Sequence, residues 1–150
     1  MSHLAFSTVV KIPIDHFRIL LTDYEKFPYY LPRQIKNIKI IESKNDQVVT
    51  EHTIVLSSIV KNTIHQQSVH HQISQNKLNT KIISGPAKET EIDLILNEND
   101  NKTEIIICIE LKLSLKARFL EPIIKLWYKR VIQGILYTME NKFNEEQNYY

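Results

Sequence analysis

Two glycines in 150 residues, Gly85 and Gly134, is an unusually small number. They stand too far apart to form a glycine-rich loop around a phosphate, which removes the common mononucleotide and dinucleotide fingerprints. The single cysteine, Cys108, leaves no internal disulfide to form. No apolar run reaches the roughly 18 residues of a membrane-spanning helix. The opening MSHLAFSTVVKI lacks the basic start, apolar centre and small-residue cleavage site of a secretory signal. With the lone thiol, this points to the cytoplasm. The formal net charge is only +2. Binding a phosphate backbone calls for a concentrated basic patch, so no nucleic-acid partner is expected. At 43% hydrophobic and 24% charged, the composition is that of a folded chain, and the length suits one domain.

What is present begins with the stretch FLEPIIKLWYKRVIQGILYTMENKF, Phe119 to Phe143. Apolar residues recur at every fourth position, Ile123, Trp127, Val131, Ile135 and Met139, with Leu120 and Ile124 widening the stripe. Glu121, Lys125, Lys129, Gln133 and Glu140 fall on the other side. Pro122 belongs in the first turn, so the regular helix starts beside it. At roughly 1.5 Å per residue the rod is about 35 Å long, and a broad apolar surface must lie against it. Gly134 in mid-helix costs about 0.8–1 kcal/mol relative to Ala. It implies either close approach of a strand or room for a ligand.

The rest of the chain is mostly strands. His3 to Lys11 alternates, with Leu4, Phe6, Thr8 and Val10 on one side, and Pro13 ends it. Ile14 to Tyr24 changes to a helical period through Ile14, Phe17, Leu20 and Leu21. Pro28 and Pro32 then limit the aromatic segment Tyr24 to Pro32 to a second short helix or turn. Six strands follow, over Ile35–Glu42, Val48–Leu56, Val60–Ile73, Leu78–Ser84, Glu89–Leu96 and Thr103–Leu115. Short polar turns join them, and Ser57-Ser58 breaks the second from the third, as expected of an antiparallel meander. The predicted fold class is α+β: a seven-stranded antiparallel curved sheet around a long C-terminal helix, with two short helices after the first strand. One domain is expected, with an ordered core over about 3–143 and a frayed tail over 144–150.

Few residues speak for chemistry. His65, His70 and His71 share the polar strand and His52 lies on its neighbour, but no recognisable metal-ligand spacing accompanies them. If this strand turns its polar face inward, Gln66, Ser68 and His70 are placed to hydrogen-bond a ligand's oxygen atoms. Glu51, Glu91, Asp93, Glu104 and Glu110 alternate with apolar neighbours and are expected to face water. Cys108 reads as a small buried hydrophobe and Arg130 as a side chain that snorkels to solvent. No nucleophile–base pair stands out, so no catalytic residue, metal or cofactor is expected. Tyr29 and Tyr30 beside Lys26 and Arg33 have the composition of a transient membrane-surface contact.

Three stretches together resemble a known group of proteins. They are Ile12-Pro13-Ile14-Asp15, the run Leu21-Thr22-Asp23-Tyr24-Glu25-Lys26-Phe27-Pro28-Tyr29-Tyr30-Leu31-Pro32, and the long last helix with Trp127. They resemble the START-like superfamily, also called SRPBCC or birch-pollen-allergen-like, on the side of its polyketide cyclase and coenzyme-Q-binding members. The resemblance covers about Leu4 to Phe143. It implies a helix-grip fold with a cavity between the sheet and the last helix. It also implies that Ile123, Trp127, Val131 and Ile135 wall that cavity, and that Phe27, Tyr30 and Leu31 stand at its mouth. Ile54, Leu94, Ile107 and His70 are the candidate lining residues of the strands. The expected partner is a hydrophobic small molecule, a lipid or an isoprenoid-quinone-like compound. The alternatives are an aromatic cyclase or dehydratase, and a protein-interaction module with a collapsed cavity.

Overall fold

Alternation in the strands and a helical period at each end sort the chain into two layers. The computed structural model describes residues 2–55 and 63–148. The expected start of the third meander strand at Val60 and the break at Ser57-Ser58 lie outside the described residues. The order is β1 (Ser2–Val10), α1 (Ile14–Leu21), a 3-10 turn (Tyr24–Lys26), α2 (Phe27–Tyr30), and then the strands. These are β2 (Ile35–Lys44), β3 (Gln47–Val55), β4 (Thr63–Ser74), β5 (Lys77–Ile82), β6 (Glu91–Asn99) and β7 (Lys102–Leu111). A 3-10 segment (Leu115–Leu120) leads into α3 (Glu121–Asn148).

The sheet order is β1-β7-β6-β5-β4-β3-β2, with every pair antiparallel. Register shifts in β2, between Ile35 and Asn37 and between Ile40 and Glu42, and in β4, between Gln72 and Ser74, add local twist. Such twist lets an open sheet curl. Short polar residues take the left-handed turn positions, Asn45 (φ 48°) between β2 and β3 and Asp100 (φ 56°) between β6 and β7.

Two polar ties fix the ends of the sheet to the helices. Thr103 Oγ1 donates to the Ile12 carbonyl at 2.8 Å, joining β7 to the β1–α1 junction. The Arg18 guanidinium of α1 donates to the Gln75 carbonyl and, at 3.0 Å, to Asn76 Oδ1 in the β4–β5 turn. Ile12 and Phe17, beside these ties, are fully buried.

α3 differs from expectation in two ways. It runs on past Phe143 to Asn148, and its buried face is Ile124, Trp127, Tyr128, Val131, Ile135, Leu136, Met139 and Phe143. Ile123 lies outside that face, 42% exposed. The cause is geometric: steps of four residues drift by about 40° each, so a straight helix cannot keep the whole row against one surface. β7 also ends at Leu111, so Leu115 leaves the sheet and is exposed.

Gly134 marks a close approach, to Leu31 after α2 rather than to a strand. A Cβ there would stand 3.1 Å from Leu31 Cδ2 and 3.2 Å from Cδ1. Gly134→Ala is therefore expected to stay within about 1 kcal/mol of wild type, because helix propensity offsets a small shift of a flexible side chain. Gly134→Leu must displace Leu31 and is expected to cost about 1–3 kcal/mol in urea unfolding.

Candidate functional site

Beneath the middle of α3 the two layers do not close, and a cavity of about 180 Å³ lies between them. Its apolar wall comes from Ile35, Ile38, Ile54, Leu78, Ile82, Ile92, Leu94 and Ile105 of the sheet. Leu21, Tyr24 and Phe27 close it from the α1–α2 side, and Trp127, Val131, Ile132, Ile135 and Leu136 from α3. The other wall is polar: His52, Gln66, Ser68, His70 and Thr80, with Tyr128 on the helix.

Register makes these polar residues one patch. Gln66 pairs with His52, Ser68 with Thr50 and Ile82, and His70 with Thr80. All share one parity, so β3, β4 and β5 turn them to the same face. The Gln66 amide nitrogen lies 2.9 Å from His52 Nε2, and Ser68 Oγ lies 3.3 Å from the same nitrogen. The Gln66 amide nitrogen donates, so Nε2 accepts and the His52 proton sits on Nδ1; with one lone pair on Nε2, the longer Ser68 contact is secondary. His70 is held at both nitrogens, by Thr50 Oγ1 at 2.8 Å from Nε2 and Thr80 Oγ1 at 2.7 Å from Nδ1. One hydroxyl donates and the other accepts, which suits a neutral imidazole. The Tyr24 ring stacks on His70, centroids 4.0 Å apart and planes 18° from parallel.

Burial keeps this wall uncharged. It pushes His52 down to about 4, and it pushes His70 down to about 3 with help from neighbouring His52. Burial raises the phenols of Tyr24 and Tyr128 to about 12, in the second case against a hydrogen bond from Gln66. Among the described residues, none of those lining the cavity is Lys, Arg, Asp or Glu.

Of the residues singled out from the sequence, Phe27, Ile54, His70, Leu94, Trp127, Val131 and Ile135 line this cavity, while Tyr30, Leu31 and Ile107 do not. Tyr30 is buried, with Lys142 Nζ 5.4 Å from its ring centre, so Tyr29 alone of the pair is exposed. Leu31 fills the gap at Gly134, and Ile107 is buried in the core. Trp127 also anchors the helix, its Nε1 donating to the Val55 carbonyl at 2.9 Å. His65 and His71 point away, toward Thr53 Oγ1 at 3.1 Å and Asp46 at 3.6 Å. Among the described residues no three His, Cys, Asp or Glu side chains form a metal-binding group. Cys108 is half-buried, paired in register with Ala5 and Asp93, not the core hydrophobe expected. Thr80 and Tyr128 carried no sequence signal for the cavity, and Tyr24 was marked only as the first residue of the aromatic-proline run. His52 did, since its parity matches Thr50 and Ile54.

The two buried histidines predict an acid limb in stability. Folding lowers both values from an ordinary 6.5, so the unfolded chain takes up protons first as pH falls. Stability is complete above about pH 6.5 and declines toward pH 4 and then 3, by at most about 1.4 kcal/mol per pH unit for each histidine. Urea unfolding from about pH 7.5 to 5 measures it; His52→Gln with His70→Asn should lower stability at neutral pH but flatten the limb.

No family model and no curated protein sequence matches the chain. Solved structures do. The Zhui aromatase/cyclase from Streptomyces sp. R1128 superposes with a TM-score of 0.81 at 10% identity, over 94% of this chain and 92% of that one. A START superfamily protein from Mycobacterium smegmatis gives 0.76 at 14% identity, over 95% and 97%. The major latex-like protein 151 of Panax ginseng gives 0.71 at 14%, over 94% and 96%. At such identities the likeness is one of fold: the chain has the helix-grip fold of the START-like, or SRPBCC, superfamily.

Proposed function

We propose that this protein binds an uncharged, ring-sized hydrophobic molecule in the cavity between α3 and the sheet. The observation that carries this is the wall chemistry: an apolar enclosure with hydrogen-bonding groups on one side and, among the described residues, no formally charged side chain on its lining. A carboxylate or phosphate placed there would lose its hydration without a counter-charge, which is costly. A quinone, phenol or cyclic ketone loses little. Its oxygen atoms meet Gln66, Ser68 or the Tyr128 hydroxyl, and its ring meets Val131, Ile135 and Ile105. The volume of about 180 Å³ suits one or two rings; an engineered cavity of about 150 Å³ holds benzene. Burying about 150–250 Å² of ring is worth roughly 4–6 kcal/mol before ordering costs. Within the expected range of lipids and quinones, these facts favour a quinone-like head over a charged lipid. An open cavity also disfavours a module whose only role is to bind another protein.

An aromatic cyclase is the second reading, favoured by the similarity to an aromatase/cyclase and by neutral histidines in the cavity wall. Such chemistry relies on folding a reactive chain in a shaped pocket, with few catalytic groups. His70 is engaged at both nitrogens by threonines, which suits a wall that orients a substrate better than a free general base.

Titration with a bicyclic quinone and with a fatty acid, read by Trp127 fluorescence and native mass spectrometry, tests the proposal. The quinone is expected to bind and the fatty acid to bind at least about tenfold more weakly, a difference of about 1.4 kcal/mol. Val131→Trp should abolish quinone binding at a stability cost of about 1–3 kcal/mol. Binding that survives this filling would mean the ligand sits elsewhere, and equal affinity for the fatty acid would refute the uncharged pocket. Turnover of a polyketide-like substrate that is lost in His52→Gln while binding persists would favour the cyclase.

A further inference from the structure

Large apolar side chains gather on the outside of the molecule where the sheet gives way to α3. Leu115 and Phe119, in the 3-10 segment, are 81% and 78% exposed; Ile123 and Leu126, in the first turns of α3, are 42% and 46% exposed. Phe119 to Ile123 is one helical turn and Ile123 to Leu126 nearly another, so these three form a ridge away from buried Ile124 and Trp127. Single exposed apolar residues are ordinary, but four within twelve positions make a patch.

The same segment is strongly basic. From Lys112 to Arg130 there are six cations, Lys112, Lys116, Arg118, Lys125, Lys129 and Arg130, and one carboxylate, Glu121, a net +5. The remainder carries thirteen cations against sixteen carboxylates, a net −3. Among the described residues none of the six is ion-paired. Beside the ridge lies a cleft of about 310 Å³, bounded by Lys112, Arg118 and Glu121 over Leu111 and Leu113.

We propose that this face docks on a membrane surface rich in anionic phospholipid. Leu115 and Phe119 enter the boundary between headgroups and acyl chains, Ile123 and Leu126 lie along it, and Lys116, Arg118 and Lys125 meet the headgroups. The cleft at Lys112 and Arg118 is placed to receive one phosphate. An apolar ridge flanked by cations is the composition that binds at such an interface. Charge decides between this occupant and a second copy of the chain. A two-fold contact would set the same cations against each other, whereas an anionic bilayer neutralises them. This face is distinct from the Tyr29–Tyr30 segment singled out from the sequence, where Tyr30 is buried beside Lys142 and Tyr29 is exposed.

The test is co-sedimentation of the full chain with phosphatidylcholine vesicles, with and without about one-third phosphatidylserine. Binding is expected to need the anionic lipid and to weaken as salt is raised. Leu115→Ser with Phe119→Ser, and separately Lys116→Glu with Arg118→Glu, should each reduce it by roughly tenfold or more. Their circular dichroism and melting should match wild type, since these side chains are exposed. Val131→Trp should leave vesicle binding unchanged, which separates this surface from the cavity. Equal binding to neutral vesicles, or full binding by the serine pair, would overturn the proposal. So would a dimer in solution that the serine pair dissociates, with no vesicle binding by wild type.

Discussion

A helix keeps empty space beneath it only where it is held off at both ends, and that constraint organises this molecule. Near its start, Ile124 and Trp127 are buried, and the Trp127 indole is tied to the Val55 carbonyl at the end of β3. Near its end, Met139 and Phe143 are buried, with the Phe143 ring 4.7 Å from that of His16 on α1. α1 is itself clamped to the β4–β5 turn through Arg18. Between these anchors the curved sheet falls away from Val131, Ile135 and Leu136, and the cavity is what remains.

The polar wall follows from the same geometry. Three adjacent strands present threonine, serine, glutamine and histidine at inward positions, where an ordinary core would place valine or isoleucine. Such groups are tolerated inside a protein only when their hydrogen bonds are made. Here they are made to one another, through Thr50–His70–Thr80 and Ser68–His52–Gln66. No buried side-chain polar atom among the described residues is left without a partner. The result is a surface that offers hydrogen bonds while remaining neutral, a discriminating combination for a pocket. An ion placed against it would lose hydration without gaining a counter-charge, which is the basis of the uncharged ligand proposed above.

The outer side of α3 shows the opposite economy of groups. The turns that anchor the helix inside with Ile124 and Trp127 carry exposed Ile123 and Leu126 outside, among lysines and arginines. One stretch of chain therefore serves the interior and the surface with different residues of a single helical period. A row of fours read from the sequence joins the two faces, because it drifts around the rod; packing against a finite sheet separates them.

Much of the architecture was legible from the amino-acid order. Alternation in β1, β6 and β7, the paired prolines around α2 and the long apolar period of α3 are local patterns. Strand and helix formation depends chiefly on neighbours a few residues away. Parity in β3 and β4 was legible only in part, since neither face of β4 is apolar; pairing with β3 and β5 decided that Gln66, Ser68 and His70 face inward. Which of the apolar residues line empty space was not legible. Leu94 and Ile107 look alike on paired strands, yet one borders the cavity and the other is sealed in the core. Tyr30 and Leu31 lie in the same short run as Phe27, and only Phe27 reaches the cavity. The sequence by itself determined the elements, their order and the amphipathic faces that must meet. The tertiary structure decided where those faces touch and where they part, because a gap depends on the curvature of the sheet and on contacts between residues far apart in the chain.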